Sequence, residues 1–279
     1  MIYIIYHSHR PKKLKINLDQ YKTLPEITKA LQTAGLESCN VIIGIDFTRS
    51  NEWQGEKTME RKNLHHIFED GGMNPYQQVI DVCSRTLDDL DDDKMIPTFG
   101  FGCVKTRDKA CFSFTKDEPR GCMGFEEVGE RYKAEVKTRT LSGPTNFAPV
   151  INKAIEIVEE TGNQFHVLII ICDGQVSDKQ NTVAAIIAAC KYPLAIIIIG
   201  VGDGDQGAPK GKEWETMMLY DDGLPERDWD NVQFVPFNRL GVALGKELTA
   251  KQEIKFAVAA MQELPDQFKT VKRLGLLNI

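Results

Sequence analysis

The stretch Val41-Ile42-Ile43-Gly44-Ile45-Asp46-Phe47-Thr48-Arg49-Ser50 decides the fold. Its first half is a continuous apolar run of strand length. A strand that is apolar at every position is buried on both faces, as in a parallel sheet covered by helices. Its second half places one carboxylate and two hydroxyls where the strand leaves the core. Hard oxygen ligands of this kind suit a small divalent cation.

Working outward, the same alternation recurs along the chain. Asn74-Pro75 supplies a helix cap followed by a first-turn proline, and Tyr76, Val79, Ile80, Cys83, Leu87 and Leu90 form a helical stripe. Ile96–Phe101 reads as a strand, and residues 110–114 as a short edge strand. A second striped helix follows Thr145-Asn146, with Phe147, Val150, Ile151, Ala154, Ile155 and Val158 on one face. Phe165–Cys172 is a buried strand. Asp178 caps a third helix. Leu194–Val201 and Val232–Phe237 are further strands, and helical segments flank the whole at Pro25–Ala34 and Leu240–Leu264. Strands alternating with amphipathic helices give one α/β domain: a doubly wound, mainly parallel sheet with helices on both faces. Residues 1–19 are expected to form a mobile N-terminal arm, and residues 20–279 the domain with its flanking helices.

The 279 residues carry a net charge of −6, which does not favour nucleic acid or an anionic membrane. No run is long enough to span a membrane, and the N-terminal apolar run is too short for a signal peptide. Ile2 excludes myristoylation. Seven cysteines without a Cys-x-x-Cys pair indicate reduced thiols, no zinc finger and a cytoplasmic setting.

In a doubly wound sheet, ligands bind beyond the carboxyl ends of the strands, near the topological switch point. Three segments are expected to meet there: Asp46–Ser50, Ser142–Asn146, and Cys172-Asp173-Gly174-Gln175. Together they offer Asp46, Thr48, Ser50, Thr145 and Asp173, a set suited to magnesium or manganese and acceptable to calcium. Taken singly, each has a structural reading: Asp46 and Asp173 as turn residues, Thr145 as a helix cap. A phosphotransferase of the haloacid dehalogenase type needs a second acid where this chain has Thr48, so its general acid is missing. Gly202-Asp203-Gly204-Asp205-Gln206-Gly207 matches a dinucleotide fingerprint formally, but its two aspartates would repel a pyrophosphate; it reads as a flexible acidic loop. His65-His66 reads as the polar surface of a short helix. The aspartates between 88 and 93 lack calcium-loop spacing and read as a solvated helix end.

Asp-x-Thr-x-Ser, a loop threonine and a later Asp-Gly together resemble the metal-ion-dependent adhesion site of von Willebrand factor A domains. Asn74-Pro75-Tyr76-Gln77-Gln78, Pro97–Gly102 and Gly200-Val201-Gly202-Asp203 resemble landmarks of the copine subgroup. Gly35-Leu36-Glu37-Ser38, Glu52-Trp53 and Leu264–Phe268 look most like the plant copine-like ubiquitin ligases. The resemblance covers about residues 20 to 277. It implies that Thr48, Ser50 and Thr145 contact the metal directly, and that Asp46 and Asp173 bind it directly or through water. It also implies an open position for an Asp or Glu of a partner protein, with Arg49, Asn51 and residues 143–146 shaping the rim. Thr48 stands where many members have serine, and copine-type sequences tolerate threonine there. No C2 pair lies before residue 20 of this sequence and no RING after Leu277. Peripheral membrane association and ubiquitin transfer are therefore expected only through other modules, and this chain is expected to be non-catalytic.

Overall fold

The computed structural model describes residues 23–278, apart from 38, 89–90, 92, 116–120, 175, 205–207 and 225–226. The expected arm, residues 1–19, lies outside the described residues.

The sheet has six strands: β1 (Asn40–Asp46), β3 (Thr98–Phe101), β4 (Cys111–Ser113), β6 (His166–Cys172), β7 (Leu194–Gly200) and β8 (Val232–Pro236). Their spatial order is β4-β3-β1-β6-β7-β8, and every pairing is parallel except β3 with the edge strand β4. β6 and β7 are buried along their whole length, as their unbroken apolar composition requires. Successive side chains point to opposite faces, so β1 feeds two cores. Val41, Ile43 and Ile45 pack with residues of α1 (Leu24–Ala34), α2 (Pro75–Thr86), α3 (Gly124–Thr138), α7 (Ala250–Met261) and α8 (Leu264–Arg273). Ile42 joins residues of α4 (Ala148–Glu160), α5 (Lys179–Ala189) and α6 (Glu215–Asp222) on the other side. From β1 the chain adds strands toward β3 on one side and β6 on the other. The switch point therefore lies at β1 and β6, whose register pairs Ile45 with Ile171.

Several elements depart from the sequence reading. The expected strand 96–101 is broken by Pro97, which has no N–H to give a ladder. β2 (Met95–Ile96) instead pairs antiparallel with β5 (Cys122–Met123) in a separate two-stranded sheet. The 15-residue α3 was not anticipated. Its buried stripe is only Phe125, Val128 and Tyr132 among charged residues. The span 240–264 is helical only from Ala250, where a capping box between Thr249 and Gln252 starts α7.

The aspartate run is not a solvated helix end throughout. Asp91 is 2% exposed, and its Oδ1 accepts the Val41 N–H at 3.0 Å, tying the amino end of β1 to the segment after α2.

Candidate metal centre at the carboxyl edge of the sheet

Asp46 ends β1 and is fully buried. Its Oδ1 accepts the Thr48 N–H at 2.7 Å, which turns the chain out of the strand. One turn of 3-10 helix, Arg49–Glu52, follows. This turn brings the Thr48 and Ser50 hydroxyl oxygens to 3.0 Å. Thr48 is 1% exposed and Ser50 7%. Gly102, after β3, has φ +84°, and a Cβ there would lie 2.2 Å from the Thr48 methyl. Only glycine allows this loop and β3 so close together.

The loop before α4 is bonded to both neighbours. Ser142 forms a bridge with Thr48; its carbonyl accepts the Arg49 N–H, and its N–H donates to the Phe47 carbonyl at 3.3 Å. Three residues on, the Thr145 carbonyl accepts the N–H groups of Ser177 (3.0 Å) and Asp178 (3.2 Å), on the segment following β6. Thr145 is 4% exposed and does not cap α4, whose cap position is Phe147. Asp173 follows β6 and is fully buried. All five residues anticipated from the sequence therefore lie on three segments stitched together at the switch point.

The electrostatics of this cluster are unfavourable as it stands. The Asp46 carboxyl is raised well above the ordinary range, first by burial and second by the neighbouring Asp173 carboxylate; the Thr48 hydroxyl and amide lower it by less. Asp46 Oδ2 is buried with no hydrogen-bond partner. Two buried acids, an orphaned carboxylate oxygen and paired hydroxyls fit a hard divalent cation. Among the described residues, no three or more His, Cys, Asp or Glu side chains gather to hold an ion, so a cation here relies on hydroxyl oxygens.

His65 was misjudged from the sequence. It is 4% exposed and lies between the rings of Phe47 (centroids 4.9 Å apart) and Tyr76 (4.2 Å). Its Nε2 is 2.8 Å from the Asp46 carbonyl oxygen, and its Nδ1 is 2.8 Å from the Tyr132 hydroxyl. A carbonyl only accepts, so Nε2 carries the proton and Nδ1 accepts from Tyr132. Burial pushes the imidazole down to about 3, and it stays neutral. Asn51 is likewise not a rim residue. Fully buried, it donates to the Thr48 carbonyl at 3.0 Å and accepts from the Tyr76 hydroxyl at 2.7 Å. His65 and Asn51 thus grip the main chain on either side of Phe47. The adjacent Asn74-Pro75-Tyr76 landmark carried the only sequence signal for this scaffold. Asn146 is also buried, bonded to the Asp108 carbonyl. Of the expected rim, Arg49, Gly143 and Pro144 face solvent.

Asp203 is not part of a free acidic loop. Its two carboxylate oxygens accept the N–H groups of Lys57 (2.8 Å) and Thr58 (2.9 Å). Gly202 has φ +79°, and a Cβ there would meet the Gln54 carbonyl at 2.7 Å, so this glycine serves loop packing rather than phosphate binding. Residues 205–207 of the formal fingerprint lie outside the described residues.

The family model described as Copine matches residues 63–279. The chain belongs to the copine family. This copine chain is 45% identical over 272 residues to the Arabidopsis thaliana E3 ubiquitin-protein ligase RGLG2, covering 93% of this chain and 55% of that protein. It is 43% identical over 264 residues to Copine family protein 2 of Caenorhabditis elegans, covering 94% of this chain and 3% of that protein. It therefore spans about half the length of the first of these curated relatives and a small part of the second. Of solved structures, the von Willebrand factor type A protein from Catenulispora acidiphila is 14% identical with a TM-score of 0.43, covering 86% of this chain and 43% of that one. That likeness is too distant to bear on the site. No described helix is long and apolar enough to cross a membrane.

Proposed function

We propose that this copine chain is a divalent-cation-dependent protein-binding module. Asp46, Thr48, Ser50, Thr145 and Asp173 hold magnesium, or manganese or calcium, and an Asp or Glu of a partner protein completes the coordination. The observation that carries the reading is the pair of buried, adjacent carboxylates Asp46 and Asp173 beside the Thr48–Ser50 hydroxyl pair. Such a pair is costly without a counter-charge, and a bound dication supplies one. The cation also supplies Lewis acidity toward a partner carboxylate. The chain's own contribution is positioning: His65 and Asn51 fix the loop, and the Ser142 bridge fixes its neighbour. Calorimetric titration with magnesium and manganese tests it, with Asp46→Ala and Thr145→Ala as comparisons. Unchanged binding in both variants sinks the assignment.

A second reading is favoured by the relatives named as E3 ubiquitin-protein ligases. On it, the same site recruits substrates for a ubiquitin-transferring module elsewhere in the protein. Ubiquitin transfer by residues 1–279 alone would contradict the division of labour; metal-dependent capture without transfer supports it.

A further inference from the structure

The chain carries net charge −6, yet one side of the candidate metal centre is basic. The loop Cys103–Lys109 places Lys105, Arg107 and Lys109 in solvent. It is pinned to the rim by three bonds: Val104 N–H to the Thr140 carbonyl (3.0 Å) and Ser142 N–H to the Gly102 carbonyl (3.1 Å), which together make the Cys103–Leu141 bridge, and Asn146 to the Asp108 carbonyl (3.0 Å). Lys137 and Arg139, at the end of α3, lead into the same rim, and Arg49 stands across it with its side chain 69% exposed. The acids interleaved with these cations are Glu52, Glu135 and Asp108. Glu52 pairs with Arg49 and Glu135 with Arg139, whereas among the described residues Lys105, Arg107, Lys109 and Lys137 form no ion pair within 4.0 Å. A cavity of about 250 Å³ opens within this side, walled by Phe47, His66, Arg139 and Leu141. The opposite side is mixed: Asp203 binds the 57–58 amides, and Lys212 lies 3.4 Å from Glu215.

We infer that this basic collar selects the partner: it takes an acidic protein segment, in which the carboxylate that reaches the metal is flanked by further Asp or Glu residues lying over Lys105, Arg107 and Lys109. The inference rests on the metal-centre reading for the central carboxylate, and on the collar alone for the flanks. One bound dication attracts any carboxylate. A ring of like charges beside it discriminates among carboxylates by their neighbours, chiefly through the rate of encounter. The collar's cations are exposed, so their contribution is screened by salt and acts within about 10 Å at ~0.1 M ionic strength.

Fluorescence anisotropy with the full chain tests this. One labelled peptide has a central aspartate flanked on each side by glutamates; in its control the glutamates are glutamines. In magnesium at low salt, the acidic peptide is expected to bind about tenfold tighter than the control, and the ratio should shrink as salt rises. The combined variant Lys105→Gln, Arg107→Gln, Lys109→Gln changes only exposed side chains and should bring the ratio to about one, while Lys212→Gln should leave it. A wild-type ratio near one, failure of both peptides to bind, or a triple variant that keeps the preference overturns the collar. Binding to phosphatidylserine vesicles without any peptide preference also overturns it, in favour of a membrane role. Chelation separates the two readings. Loss of both peptides by the same factor on adding EDTA supports the metal centre. If EDTA leaves both affinities, and so the preference, at their original values, the metal is removed from the reading and the collar is left standing.

Discussion

β1 carries a buried aspartate at each end, and the two are built differently. At the amino end, Asp91 reaches in from the segment after α2 and accepts the Val41 N–H. Like Asp46 it keeps one buried oxygen without a partner, but its charged neighbours are Lys94 as well as Asp93 and Asp88, and among the described residues no second fully buried acid faces it. At the carboxyl end, Asp46 accepts the Thr48 N–H in much the same way and also keeps one oxygen without a partner, but it faces a second fully buried acid, Asp173. One aspartate closes a strand. The other leaves a charge problem that a cation would solve. The difference lies in what surrounds the carboxylate, not in the carboxylate.

The largest break in this comparison comes from Asp46→Asn. Loss of the charge is expected to abolish the stabilisation that magnesium gives the wild type. In chelator the same variant should melt above the wild type, more stable by about 1–3 kcal/mol, because it removes first the cost of burying an ionisable group and second its repulsion with Asp173. Thermal melts with and without magnesium measure both signs. A variant that melts below wild type in chelator would show that Asp46 is a structural acid like Asp91.

Next in size is His65→Ala. It removes a ring packed between Phe47 and Tyr76 and both of its hydrogen bonds, one of them to the Asp46 carbonyl. A loss of about 3 kcal/mol is expected from the cavity and the orphaned partners. Metal affinity should also fall, by roughly ten-fold or more, as for other groups that orient ligands without touching the ion. Urea midpoints and calorimetry read the two separately. Full metal affinity in a folded His65→Ala variant would confine His65 to packing.

This contrast also marks what could be read from the sequence. The strands were legible because parallel strands buried on both faces are apolar at every position, as in Leu194–Gly200. The meeting of the three segments that carry the five candidate ligands was legible because loops at the carboxyl ends of parallel strands converge at a topological switch point; that these residues hold a cation is the proposal. His65 was not, because two adjacent histidines in a polar stretch look solvated; their fates diverge only when Phe47 and Tyr76 close on one of them. α3 was missed for a related reason. Its three buried positions are diluted by charges and by Gly124 and Gly129, and its core-facing role depends on Tyr132 reaching His65. Pro97 was visible, yet the resulting change of partner for Met95–Ile96 depends on β5, which two residues cannot announce.

The smallest effect tests the amino-terminal aspartate itself, in two variants. Asp91→Ala removes the acceptor of the buried Val41 N–H and should cost about 1–3 kcal/mol, with metal affinity unchanged. Asp91→Asn keeps an acceptor oxygen and removes only the titration. Burial pushes the Asp91 carboxyl from 3.8 up to about 6. Between those values the folded protein holds a proton that the unfolded chain has released. The stability linked to this group is therefore fully present below the unfolded value and lost as pH rises through about 6. The asparagine variant cannot lose it. Its stability relative to wild type should start near zero at about pH 4 and rise to on the order of 2 kcal/mol by about pH 7, in the variant's favour. Denaturant midpoints for both proteins in chelator measure the difference, and subtraction cancels groups common to both. His65 is one of these, and its depressed pKa works in the opposite direction, weakening the fold as pH falls below the ordinary histidine range. A flat difference across that range would mean that Asp91 titrates like a solvated acid, and the two ends of β1 would then differ by burial as well as by neighbours.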